Sequence, residues 1–97
     1  MTDIDVYNLV DDIRLLLKDD NEYVRLDVRV RKAYLTVSHN VSMLIDRFDE
    51  FYVDRNVTYL QDSDESIRPH RIMYVITLDI YDRFIRAFEM NKTISNL

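Results

Sequence analysis

The spacing of apolar positions changes along the chain, and each change marks an element. From residue 3 to 18, Val6, Leu9, Val10, Ile13, Leu16 and Leu17 fall on one face of a helix, with Asp11, Asp12, Arg14 and Lys18 on the other. Thr2 and Asp5 suit its cap and first turn. Asp19-Asp20-Asn21 ends it, since Asn tolerates the left-handed conformation usually left to Gly. At Glu22 the period drops to two: Val24, Leu26, Val28 and Val30 alternate with Arg25, Asp27, Arg29 and Arg31, which predicts a strand over 23–30 with one buried face. A turn at 31–33 and a return strand over 34–38, with Leu35 and Val37 inward, complete a hairpin whose Lys-Ala turn lacks the usual Asn-Gly chemistry.

His39, Asn40 or Ser42 is placed to cap a second helix over 41–53. Its apolar positions, Val41, Leu44, Ile45, Phe48, Phe51 and Tyr52, are those of the first helix displaced by 35, and a further 40 gives Tyr81, Phe84, Ile85 and Phe88 in a third helix over 79–90. Any amphipathic helix has this spacing, and the copies fall short of the ~3 repeats that a solenoid needs. Between the second and third helices lie a strand at 56–61, a polar loop at 62–70 and the strongly apolar strand 71–78. There Ile72, Tyr74, Ile76 and Leu78 would face the helices, leaving Met73 and Val75 on the opposite side with Arg25 and Arg29. A strand apolar on both faces has to be covered on both, by a helix or by another molecule.

The expected fold is therefore a single α+β domain over 1–97, an antiparallel sheet of about four strands with three helices in the order α-β-β-α-β-β-α. The rival is an all-helical bundle. Tyr23, Leu26, Val30, Ala33 and Val37 fit a heptad, and Met73, Ile76, Ile80, Phe84 and Phe88 would line one long helix starting near Pro69. With only two Ala and the run Tyr74–Thr77 of branched and aromatic residues, strands are favoured.

Composition narrows function mainly by exclusion. There is no Gly in 97 residues, which disfavours the phosphate-cradling loops, dinucleotide turns and nucleophile elbows that depend on it. Without Cys there is no thiol catalysis, thiolate metal site or disulfide. His39 and His70 come without metal-ligand spacing, and Ser38 and Ser42 without a local acid partner, so neither an enzyme nor a cofactor is expected. The acidic N-terminus lacks signal-peptide character and the longest apolar run is Ile72–Ile76, so a cytoplasmic protein with no membrane partner is expected.

Two charged regions could carry recognition. Arg25, Arg29, Arg31 and Lys32, with Tyr34 nearby, could offer guanidinium groups and a ring to a nucleic acid, although Asp27 interrupts them and the formal charge of −5 opposes it. Asp62, Asp64 and Glu65 form an acidic hairpin tip that lacks the ligand spacing of a calcium loop. With Met73 and Val75 as apolar anchors, the two tips favour a small non-enzymatic protein that binds another protein, the expected partners including a second copy in a homodimer. An accessory or inhibitory protein of the kind encoded by viruses and mobile elements suits this composition, and nucleic-acid binding through the arginines is the alternative.

Overall fold

The computed structural model describes residues 3–61 and 67–95. The elements follow the expected order: α1 (Asp3–Leu16), β1 (Val24–Val28), β2 (Ala33–Val37), α2 (His39–Ile45), β3 (Asp54–Gln61), β4 (Ile67–Ile76) and α3 (Leu78–Ser95), with a 3-10 turn at Asp49–Phe51 before β3. The four strands form one antiparallel sheet in the order β1-β2-β4-β3. This α+β arrangement rules out the helical bundle, and the heptads over 23–37 and 73–88 correspond to no continuous helix.

Several boundaries differ from the sequence reading, each for a local reason. The first strand ends at Val28, because the Arg29 N–H donates to the Lys32 carbonyl oxygen at 2.8 Å and closes a turn around Val30 and Arg31. Val30 is consequently 90% exposed instead of continuing the buried stripe. After Leu16, Asp19 accepts from the Asn21 N–H at 2.9 Å, an Asx-type turn that stops the helix without Gly. The second helix starts from Ser38, whose hydroxyl accepts from Tyr23 N–H at 3.1 Å and donates to Glu22 Oε2 at 2.6 Å, tying the start of β1 to the start of α2. Asn40 donates to the other Glu22 oxygen at 2.7 Å.

The repeat of the helical stripe also breaks in its second copy. Helix α2 ends at Ile45; the Arg47 and Phe48 amides then reach back only three residues, to Leu44 and Ile45. Phe48, Phe51 and Tyr52 therefore leave the helix yet still pack on the core, Phe51 from the 3-10 turn. The loop expected over 62–70 is shorter, since β4 is already paired at Ile67. Leu78 starts α3 and is 36% exposed, with Thr77 Oγ1 accepting from the Ile80 N–H at 3.2 Å.

Topology makes β4 the central strand. Strands β2 and β3 run the same way, so the segment containing α2 must carry the chain back across the sheet, and β4 fits antiparallel between them. Helix α1 packs on α2 and α3, while α2 lies on β4 and α3 reaches β1. One core results, from Val6, Val10 and Ile13 of α1 through Leu35, Val37, Ile72 and Ile76 of the sheet to Phe84 of α3. The Phe51 and Phe84 rings meet at 5.7 Å between centroids.

The β3–β4 hairpin continues past the end of β2. Strand β2 stops at the Val37↔Ile72 pair, whereas β3 and β4 remain paired from Thr58↔Arg71 to Gln61↔Ile67. A bulge at Thr58/Tyr59 shifts the register, so that Tyr59 is opposite Pro69. Proline, which lacks an N–H, is tolerated because this stretch of β4 has no β2 neighbour.

Phe84 is fully buried and Leu15 is 63% exposed, which provides a direct test of the core. Phe84→Ala is expected to cost about 3–5 kcal/mol in denaturant unfolding, whereas Leu15→Ala should stay within about 0.5 kcal/mol of the parent.

Candidate binding surface

Alternation along the strands sorts the sheet into two faces. Val24, Val37, Ile72 and Val57 form one cross-strand row on the helix side, and Leu26, Leu35, Tyr74 and Arg55 the next. The opposite side carries the rows Arg25–Thr36–Met73–Asn56 and Asp27–Tyr34–Val75–Asp54. The helices pack on the first face, and no described element covers the second.

This open face brings together residues that the sequence had assigned to rival functions. Met73 and Val75 are half-buried on the central strand, and Tyr34 and Thr36 lie beside them on β2. Arg25 and Arg29 approach from one side and Arg71 from β4, around a shallow concavity of about 330 Å³ with Thr36 and Met73 in its floor. The Lys32 ammonium lies 5.4 Å from the Tyr34 ring centroid, a cation–π contact over the same face. Asp27 sits among these cations and pairs with Arg25 at 3.3 Å, both side chains being more than a third exposed.

Arg71 was not among the sequence candidates, although it shares the parity of Met73 and Val75 on β4 and could have been found from that alternation. The expected ladder of strand arginines is corrected: only Arg25 stands on β1, while Arg29, Arg31 and Lys32 belong to the turn after Val28. Arg31 is exposed there and does not line the concavity. Asp62, Asp64 and Glu65 lie outside the described residues.

The orientation of Met73 and Val75 depends on a polar group on the other face. Tyr74, between them, has no exposed surface, and its hydroxyl donates to Asp46 Oδ1 at 2.6 Å, with the Ser42 carbonyl oxygen 3.3 Å away. Asp46 Oδ2 pairs with Arg55 at 3.2 Å, and the Arg55 guanidinium lies 5.9 Å from the Tyr74 ring centroid. Burial, and then the bond to Asp46, push the Tyr74 hydroxyl well above the ordinary tyrosine range, while Arg55 pulls the other way. The Tyr74 hydroxyl and Asp46 in turn raise the Arg55 pKa against the opposing effect of burial. This network links residues 28 positions apart, so no local sequence pattern announces it.

Protein-family models, curated proteins and solved structures yield no match to this chain. No described helix is long and apolar enough to cross a membrane.

Tyr74 also sets an alkaline limit on stability. Its folded pKa lies above its unfolded value of about 10, so its contribution is full below that pH and is lost as pH rises toward the folded value. Tyr74→Phe should lower stability at neutral pH by about 1–3 kcal/mol and flatten the decline above pH ~10. Denaturant unfolding across that range, alongside ultraviolet titration of the seven tyrosines, checks both effects.

Proposed function

We propose that this chain is a non-enzymatic, protein-binding accessory or inhibitory protein, acting in the cytoplasm through the open face of its sheet. The observation that carries this reading is the half-buried pair Met73 and Val75 on a face that no described element covers, rimmed by Arg25, Arg29 and Arg71. An apolar centre with an arginine rim is the composition of a protein interface core, because the centre gains from losing water while guanidinium groups orient the partner. A sheet face backed by a full core holds its side chains in place, so little ordering cost is paid on binding.

A second reading, nucleic-acid binding through Arg25, Arg29, Arg31, Lys32 and Tyr34, gains one supporting observation, the added cation Arg71. A homodimer over this face is less suited, since two-fold pairing sets the same basic rim against itself.

Affinity capture from cells of the source organism, with and without nuclease, tests the reading. The recovered protein should persist after nuclease, disappear with Met73→Asp and remain with Arg86→Glu on the far side of the molecule. Circular dichroism of each variant confirms the fold. Recovery that is indifferent to Met73→Asp would refute the open face as the contact surface, and recovery abolished by nuclease would transfer the function to nucleic acid.

A further inference from the structure

The charges on the open face and on the rest of the chain have opposite sign. Arg25, Arg29, Lys32 and Arg71 against Asp27 and Asp54 give the face a formal +2, and because the chain totals −5, everything else carries −7. A basic, partly apolar patch on an acidic body selects for a ligand that is negative and small enough to stay on the patch.

Resting on the protein-binding reading, we propose that the occupant of the open face is an acidic protein segment bearing an apolar anchor, the anchor seated against Met73 and Thr36 and its carboxylates on Arg25, Arg29 and Arg71. Two observations favour it over a nucleic acid. The face has few cations, Arg25, Arg29, Lys32 and Arg71, whereas affinity for a phosphate backbone grows with the number of phosphates neutralised. A long polyanion would also run off the patch onto a body of charge −7. An acidic segment meets neither obstacle, since its side-chain charges are confined to the patch and Met73 contributes contact that phosphate cannot use. Guanidinium groups match carboxylates with two parallel hydrogen bonds each, so Arg71 and Arg29 supply orientation as well as attraction.

Fluorescence anisotropy with three labelled probes tests the proposal: a short peptide alternating Glu and Leu, an all-Glu peptide of the same length, and an oligothymidylate. The Glu/Leu peptide should bind at least about tenfold more tightly than either of the others, and Met73→Asp and Arg71→Glu should each weaken it by about tenfold or more. Arg86→Glu should leave it unchanged. Equal or tighter binding of the all-Glu peptide or the oligonucleotide overturns the proposal, as does binding insensitive to Met73→Asp. If no probe binds while capture from cells still depends on Met73, the acidic segment is wrong and the protein-binding surface stands. A dimer by light scattering that Met73→Asp dissociates would assign the face to a second copy and overturn the proposal as well.

Discussion

The central strand rests on one buried hydroxyl. Tyr74 fills the middle of the sheet's helix face, and a phenol there without a partner would cost on the order of 1–3 kcal/mol. Asp46, just past the end of α2, accepts its hydrogen bond, and Arg55 on β3 neutralises that carboxylate. The three groups come from β4, the α2 terminus and β3, so one interaction fixes where the crossover helix lies, where β3 begins and which way β4 faces. The ring contact between Tyr52 and Tyr74, 4.8 Å between centroids, brings the segment before β3 into the same arrangement.

With Tyr74 fixed inward, the period-two geometry of a strand leaves Met73 and Val75 no choice but the open face. A slip of one residue would expose Ile72, Tyr74 and Ile76 and bury Met73, Val75 and Arg71, so register is strongly specified by the core alone. The open face is thus a by-product of how β4 is held. This explains how a chain without glycine can still present a defined patch: it uses the rear of its own core strand.

Much of this was legible in the residues. The alternation over 24–28, the branched and aromatic run Tyr74–Thr77 and the stripes in α1 and α3 carried the element order, because a period of two, side chains that resist a helix and a period of 3.6 each favour one element. The parity of Met73, Val75 and Arg25 placed them on one face before any coordinates. What could not be read was set by long-range contacts. Phe48, Phe51 and Tyr52 keep helical spacing although the helix has ended, since their packing partners, and not their spacing, decide the backbone. Arg29 and Val30 extend the strand pattern, yet a backbone bond from Arg29 to Lys32 turns the chain there. Strand order was likewise hidden, because nothing local in β3 or β4 says that the last strand enters between two earlier ones.

The hairpin that outruns β2 has a consequence for the molecule's behaviour in crowded solution. Wherever β4 loses its β2 neighbour, its backbone groups would be open to pairing with a strand from another chain, the first step of edge-to-edge polymerisation. A bulge that breaks the register and a proline with no N–H to donate occupy that very stretch. The one proline of this chain removes a backbone donor from the projecting part of β4, so a strand added there would find its ladder of hydrogen bonds interrupted.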